Sequence, residues 1–158
     1  MEKEFKITDE MADEALRLDN QLCFPLYAAS RRIISAYTPF LKPLGLTYTQ
    51  YIVFLVLWEK DGITVGEIGE RLRLDNGTLT PLLKKMEKAG YVSRERSSKD
   101  ERVVLITLTK EGKAMKKKAR EIPFQVGSCL CIDPKEAKQL KEMLDKLLTD
   151  DTSSPSVK

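Results

Sequence analysis

The spacing of apolar residues changes midway along the chain, and this change limits the possible folds more than any other feature. The segments "DGITVGEIGERLRL" and "DNGTLTPLLKKMEKAG" carry apolar residues at helical spacing. The next segment, "YVSRERSSKDERVVLITLT", holds two strand-like runs, Tyr91 to Glu95 and Val103 to Leu108, around a polar loop. The sequence therefore predicts two short helices in succession, followed by a two-stranded hairpin with a charged tip.

The residues before this region predict two further helices, and cap residues mark where the helices begin. Apolar residues recur at helical spacing from Asn20 to about Leu41. A nearly all-apolar segment, "TYTQYIVFLVLWEK", follows with Thr47 as its N-cap and predicts a buried helix. Thr64 caps the first short helix, and either Asp75 or Asn76 caps the second.

After the hairpin, the sequence returns to helical spacing. "KEGKAMKKKAREI" reads as the beginning of a basic helix, and we expect Pro123 and Gly127 to interrupt the pattern. "DPKEAKQLKEMLDKLL" predicts an amphipathic helix, with Asp133 as its cap and Pro134 at its first position. The fold class expected is mainly α with a small β wing (α+β).

Composition excludes several classes of function. A chain of 158 residues with 42% hydrophobic content suffices for one domain or one protomer of an intertwined oligomer. The three cysteines form no disulfide framework, and the absence of histidine excludes Cys/His zinc fingers, Ser-His-Asp triads and Cys-His nucleophile pairs. We therefore expect no metal and no cofactor, and an enzyme is not the favoured interpretation.

The N-terminal segment "MEKEFKITDEMADE" is charged and has no apolar signal region. No apolar run approaches the roughly 20 residues that cross a bilayer. We expect a cytoplasmic protein that does not bind a membrane. The net charge of +3 is too small to indicate nucleic-acid binding by itself, so the distribution of charge must carry that argument.

Two short helices followed at once by a charged hairpin match a winged helix-turn-helix. In such a fold, the second helix presents small polar groups to base edges, its lysines meet phosphates, and the hairpin tip enters the minor groove. The residues with these properties are Asn76, Gly77, Thr78, Thr80, Lys84, Lys85, Arg94, Arg96, Lys99, Asp100 and Arg102. The alternative is that the lysines solvate an exposed helix face and the hairpin is an ordinary surface ribbon. The clustering of arginines on one loop favours DNA.

The segment "DNGTLTPLLKKMEKAGYVSRERSSKDERVVLITLTKEG" resembles the recognition helix and wing of MarR-type transcription regulators. The step Asp100-Glu101-Arg102 followed by "ITLT" is the most recognisable part. The resemblance runs from about Asp19 to Leu148 and implies a homodimer on a pseudo-palindromic DNA operator. It divides the chain into an N-terminal extension (1–18), dimerisation helices (19–45 and 111–148), a winged helix-turn-helix domain (46–110) and a tail (149–158).

Three further segments, "LDNQLCFPLYAASR", "AYTPFL" and "LGLTYTQY", resemble the repressors of this family that sense organic hydroperoxides. The resemblance implies that Cys23 is the peroxidatic cysteine and that Tyr37 and Tyr48 hydrogen-bond it. Pro25 is a departure, because an ordinary helix former is expected there.

The reaction of a thiol with a hydroperoxide also requires such an arrangement, independently of the resemblance. A thiolate attacks hydroperoxides, and a thiol of ordinary pKa near 8.5 needs donors or a helix N-terminus to ionise at neutral pH.

Cys23 and Tyr37 are 14 residues apart, which is about 21 Å along one straight helix. Contact between them would therefore use two antiparallel copies of the helix, one from each subunit. Tyr27 lies four residues beyond Cys23 on the same face. In the alternative, Cys23 is buried packing and the tyrosines fill a dimer core.

Cys129 and Cys131 form a C-x-C pair that is too tight for the usual redox or zinc motif. Some members of the resembling subfamily resolve the sulfenic acid with a C-terminal cysteine, a role for which we favour Cys129, and others use an external thiol. Both cysteines could instead be purely structural.

Three other functions of the protein stay open: a MarR-type regulator that binds a phenolic or other small anion, a thiol peroxidase, and a protein-interaction module.

Overall fold

The computed structural model describes residues 7–98, 100 and 102–149. The chain divides into two compact units, one up to Ile122 and one from Pro123 onwards. The α-helices in the described part are α1 (Asp9–Ala15), α2 (Cys23–Leu41), α3 (Tyr48–Glu59), α4 (Val65–Leu72), α5 (Asn76–Lys88), α6 (Lys110–Ala119), α7 (Ile122–Cys129) and α8 (Pro134–Thr149). Short 3-10 helices cover Leu18–Asn20 and Lys42–Leu44.

A small antiparallel sheet follows the second short helix. Its strands are β1 (Ile63–Thr64), β2 (Val92–Arg96) and β3 (Val104–Leu108), in the order β1-β3-β2. The predicted two-stranded hairpin of β2 and β3 is confirmed, and β1, which the sequence analysis missed, adds a third strand on the other edge of β3. A strand of two residues is too short to show an alternating pattern.

Helix α3 forms the centre of the first unit, as its all-apolar sequence predicts. Its residues Val53, Phe54 and Leu57 are buried, and it contacts α2, α4, α5 and α6. Trp58 stacks on Phe54 and donates its indole N–H to the carbonyl of Gly112 at 3.1 Å.

No single helix among the described residues is long and apolar enough to cross a membrane. The bent pair Cys23–Leu44 and Tyr48–Glu59 passes that test together by length and composition alone.

Side-chain caps fix where the helices of the first unit begin. Thr47 and Thr64 both form capping boxes, with Gln50 and Glu67 as their reciprocal partners. Asp75 is the N-cap of α5, which decides between the two candidates for that position. These caps satisfy backbone N–H groups that have no partner inside the helix.

Two features of the N-terminal region differ from the sequence expectation. Helix α1 was not predicted, and Thr8 caps it by accepting a hydrogen bond from the N–H of Met11 at 3.3 Å. Helix α2 begins at Cys23 despite Pro25. Pro25 is the third residue of this helix, and a proline is tolerated in the first turn because the N–H it lacks would have no helical partner there.

In the second unit, the expectation that Pro123 and Gly127 interrupt the helical pattern is wrong. Both residues lie within α7, and the break falls between α6 and α7 instead. Pro123 is the second residue of α7, so it too occupies a first turn. Asp133 accepts a hydrogen bond from the N–H of Lys135 at 2.8 Å at the start of α8, as its predicted capping role requires.

The turn between α4 and α5 depends on close backbone approach. A Cβ atom added to Gly69 would lie 2.8 Å from the carbonyl oxygen of Leu74 and 3.2 Å from Cδ1 of Leu79. Arg73 closes α4 in the left-handed conformation, with φ at 52°. Gly69 is therefore the residue that lets α5 start so close to α4.

We predict that Gly69→Ala lowers the free energy of unfolding by about 1 to 3 kcal/mol, because the added methyl group must push the turn apart. Urea denaturation of the purified variant measures this. The matched control is Gly66→Ala in the same helix, whose Cβ would meet Thr64 Oγ1 at an ordinary 3.7 Å. Equal stability of the two variants would contradict this account of the turn.

Candidate nucleic-acid interface and redox site

A groove lies between the start of the two short helices and the wing. It has a volume of about 460 Å³ and is lined by Thr64, Val65, Gly66, Asn76, Thr80, Arg94, Arg102, Val103 and Val104. The structure thus brings together four residues predicted to contact DNA: Asn76, Thr80, Arg94 and Arg102. The sequence analysis missed Thr64 and Gly66 as groove residues, although the capping box at Thr64 marked the start of α4.

The first turn of α5 is exposed and is capped by Asp75. Both oxygens of Asp75 accept hydrogen bonds from Thr78, one from its hydroxyl at 2.8 Å and one from its backbone N–H at 2.9 Å. These bonds, the hydroxyl first, hold the pKa of the Asp75 carboxyl below its ordinary value. Asn76, Gly77 and Thr78 are exposed. This turn therefore presents the small polar side chains of Asn76 and Thr78 to solvent, groups of the kind that contact base edges.

At the wing, Asp100 orients Arg102. The guanidinium donates to both carboxylate oxygens of Asp100 at 3.1 Å, and the backbone N–H of Arg102 donates at 3.0 Å. The Arg102 side chain is still 90% exposed. Its hydrogen bonds, the side-chain ones first, lower the pKa of the Asp100 carboxyl. Asp100 therefore holds a solvent-facing cation in place at the hairpin.

The remaining predicted cations differ in their surroundings. Lys84, Lys85 and Arg96 are exposed, and Lys99 lies outside the described residues. Arg94 is largely covered, with a side chain 20% exposed and its Nη1 atom 3.5 Å from Glu87 Oε2. This ion pair joins β2 to α5, so Arg94 also braces the floor of the groove.

A cluster of tyrosines lies where α2 meets α3. The rings of Tyr37 and Tyr48 meet edge to face with centroids 5.0 Å apart, and the ring of Tyr51 lies 5.7 Å from the first and 6.5 Å from the second. Burial raises the pKa of all three phenols, and for Tyr48 the nearby Tyr37 adds to the rise. A phenol is protonated at neutral pH even at its ordinary pKa, so all three can donate hydrogen bonds. The sequence analysis missed Tyr51, since an aromatic residue inside an apolar helix reads as ordinary core.

Cys23 is the first residue of α2 and is exposed. Its thiol donates a hydrogen bond to Gln21 Oε1 at 3.8 Å. Because α2 is one continuous helix, the 14 residues between Cys23 and Tyr37 span about 21 Å. The structure thus brings Tyr37 and Tyr48 together and keeps Cys23 of the same chain away from them.

Tyr27 is exposed on α2, and its hydroxyl accepts a hydrogen bond from Arg31 Nη1 at 3.3 Å. The Arg31 guanidinium also lies 5.4 Å from the centre of the Tyr27 ring.

In the second unit, Cys129 ends α7 and Cys131 adopts a left-handed φ of 29°. Both of these cysteines are exposed.

A mostly apolar cavity of about 400 Å³ lies beside Tyr48. Its lining consists of Ile34, Thr38, Leu41, Lys42, Gly45, Leu46, Thr47 and Tyr48. Lys42 is the cation of this lining, and Thr38, Thr47 and Tyr48 supply hydroxyl groups. The tyrosine cluster therefore borders a space that suits a small organic group.

Comparison with known proteins decides the family. The model of the transcriptional regulators SarA/Rot matches residues 35–119. The organic hydroperoxide resistance transcriptional regulator of Bacillus subtilis (strain 168) is 47% identical over 134 residues, which cover 85% of this chain and 89% of the relative. The chain belongs to the MarR-type winged-helix transcriptional regulators.

This MarR-type regulator also matches solved structures of AbfR of Staphylococcus epidermidis. The structure of reduced AbfR bound to DNA is 42% identical, with a TM-score of 0.74 over 89% of this chain and 98% of AbfR. The structure of disulfide-formed AbfR is 40% identical, with a TM-score of 0.60 over 89% of this chain and 99% of AbfR.

We predict that Arg102→Ala weakens DNA binding by this MarR-type regulator and lowers the salt slope of log K by about one, because one phosphate contact is lost. The measurement is a binding titration at several salt concentrations, on a duplex selected by the parent protein from a random pool. The control is Arg17→Ala, which removes an exposed arginine paired with Glu14 at 3.9 Å. Unchanged binding by Arg102→Ala at moderate salt would contradict a DNA-binding wing.

Proposed function

We propose that this protein is a DNA-binding repressor that senses organic hydroperoxides by oxidation of Cys23 and then releases its operator. The observation that carries the proposal is the pair of half-buried phenols of Tyr37 and Tyr48, whose ring centroids lie 5.0 Å apart at the end of α2 remote from Cys23. Buried donors stabilise a thiolate, which is the reactive form of cysteine. The similarity to a hydroperoxide resistance regulator supports the same function.

A homodimer resolves the distance between the thiol and the phenols. Two antiparallel copies of α2 bring Cys23 of each chain to Tyr37 and Tyr48 of the other, with Tyr27 as a wall of the pocket. Apolar side chains that a partner would cover are exposed: Leu22 and Phe24 next to Cys23, and Leu140, Met143 and Leu147 along α8. The proposed dimerisation segments are residues 19–45 and 111–148, and residues 46–110 form the DNA-binding part. A repressor on operator DNA acts in the cytoplasm.

The chemical step is a two-electron oxidation of sulfur. The Cys23 thiolate attacks the terminal oxygen of the hydroperoxide, the S–O bond forms, and the O–O bond breaks. The leaving alkoxide takes a proton from water and departs as an alcohol, and the cysteine becomes a sulfenic acid. The apolar cavity beside Tyr48 gives room for the organic group of the hydroperoxide.

DNA binding requires the two recognition helices α5 to match two major grooves one turn apart. Residues Asn76, Gly77, Thr78 and Thr80 would contact the groove, and Lys84, Lys85, Arg94, Arg96, Lys99 and Arg102 the phosphates or the minor groove. Oxidation of Cys23 would alter the spacing of the two winged domains and release the operator. Cys129, or failing it Cys131, would resolve the sulfenic acid as a disulfide between subunits.

We predict that Cys23→Ser binds DNA like the parent protein and is not released by cumene hydroperoxide, because a hydroxyl group does not form the thiolate that attacks the peroxide. The measurement is fluorescence anisotropy of labelled duplex during peroxide titration. The controls are Cys129→Ser and Cys131→Ser, which should still be released. Release of Cys23→Ser at the parent's peroxide concentration would refute the sensor.

The same samples identify the resolving cysteine on a non-reducing gel. Peroxide-treated parent protein should run as a covalent dimer, and Cys129→Ser should remain a monomer. A reductant should restore both the monomer band and DNA binding. A monomeric parent in which Cys23 carries a low-molecular-weight thiol or a sulfinic acid would show a one-cysteine mechanism.

We further predict that Tyr37→Phe and Tyr48→Phe each slow oxidation of Cys23 by about tenfold or more, since each removes a charge-assisted hydrogen bond to sulfur. Stopped-flow measurement of sulfenic acid formation gives the rate. Tyr91→Phe is the control, because the Tyr91 ring packs on Phe54 at 5.4 Å, outside the tyrosine cluster. Equal rates in all three variants would assign the cluster a packing role only.

A second candidate function uses the cavity beside Tyr48 without cysteine chemistry. Lys42 and the hydroxyl groups of the lining suit a phenolic or other small anion. If salicylate released DNA from both the parent and Cys23→Ser, and hydroperoxide released neither, this second function would replace the first.

A further inference from the structure

The segment just before Cys23 is tied to the C-terminal end of α1 by two neighbouring side chains. Asn20 Nδ2 donates to the Glu14 carbonyl oxygen at 2.7 Å and to Glu14 Oε1 at 2.9 Å. Gln21 Nε2 donates to the carbonyl oxygen of Ala15, the last residue of α1. The last carbonyl groups of a helix have no partner inside it, so these side chains complete the end of α1.

The carbonyl of Ala15 also fixes which way the Gln21 amide points. A carbonyl oxygen only accepts hydrogen bonds, so the NH₂ group of Gln21 must face it. The amide oxygen then faces the other way, where it accepts the hydrogen bond from the Cys23 thiol at 3.8 Å. A flipped amide would set two oxygen acceptors against each other and lose the bond to Ala15.

We infer that Gln21 is a positioning residue that restrains the reactivity of Cys23. An acceptor that faces sulfur stabilises the protonated thiol and not the thiolate, and the hydrogen bond is lost when the proton leaves. Gln21 therefore opposes the tyrosine donors proposed to stabilise the thiolate. This inference rests on the proposed function of Cys23.

The charged side chains on the segments next to Cys23 would not change when Gln21 alone is substituted. Glu14 and Arg17 pair with each other at 3.9 Å at the end of α1, and Asp19 lies in the 3-10 helix before Cys23. On α2, Arg31 is engaged with Tyr27. The tyrosines that would face sulfur belong to the partner copy in the proposed dimer. A change at Gln21 alone thus leaves these groups in place.

The test is the rate at which iodoacetamide alkylates Cys23 from pH 5 to 9, in full-length protein carrying Cys129→Ser and Cys131→Ser so that Cys23 is the only thiol. We expect Gln21→Leu to move the rate profile to lower pH and to raise the rate at neutral pH by about two- to tenfold. Gln21→Glu should move the profile to higher pH, because a carboxylate beside sulfur disfavours the thiolate.

Asn20→Ala is the matched control, since it weakens the same end of α1 without touching sulfur. It should keep the parent's profile. A parent-like profile for Gln21→Leu, or an equal shift in Asn20→Ala, would overturn the inference. DNA binding by each reduced variant checks its folding. Alkylation needs neither peroxide nor DNA. The result is therefore independent of whether Cys23 is the sensor, which the response of Cys23→Ser to hydroperoxide tests.

Discussion

The length of α2 is the constraint on which the proposed mechanism depends. A continuous helix from Cys23 to Leu41 is a rigid spacer that keeps the thiol about 21 Å from Tyr37 of the same chain. A loop in place of α2 could fold back and complete the site within one subunit. With a helix, the proposed reactive thiol and its proposed donors would meet only across two copies. In the proposed dimer, sensing would thereby depend on the dimer geometry that also sets the spacing of the DNA-binding domains.

The groups proposed to control the thiol act in opposite directions. Phenols are protonated at neutral pH, and burial raises the pKa values of Tyr37 and Tyr48 further, so both would act as donors to a thiolate. The Gln21 oxygen acts as an acceptor from the thiol. The first pair favours reaction with peroxide, and the second favours the resting state. Their balance would set how readily the thiol ionises and therefore how fast it reacts with an oxidant.

The sequence predicted the helices α2 to α5 well, because long apolar spacing and capping residues are local signals. It missed β1, whose two residues pair only through the folded sheet. It misread Pro123, because a proline looks like an interruption until its place in the first turn is known. It missed Tyr51, which is buried in an apolar helix, and Gln21, whose role depends on the end of a helix that was not predicted. In each of these examples the structure of the residue depends on contacts made in the folded protein, and a local sequence pattern does not contain that information.

Helix α3 links the two proposed sites within the first unit. Its first turn carries Tyr48, and Tyr51 follows within the same cluster, while its body packs on α4 and α5. Val53, Phe54 and Leu57 are buried, so α3 has little room to deform and we expect it to move as one body. A displacement of Tyr48 by an oxidised partner cysteine would move α3 and, with it, the helices that hold the DNA-binding groove. In the proposed mechanism, a small chemical change at the tyrosine cluster would thereby change the position of α5, with no contact needed between the thiol and the DNA.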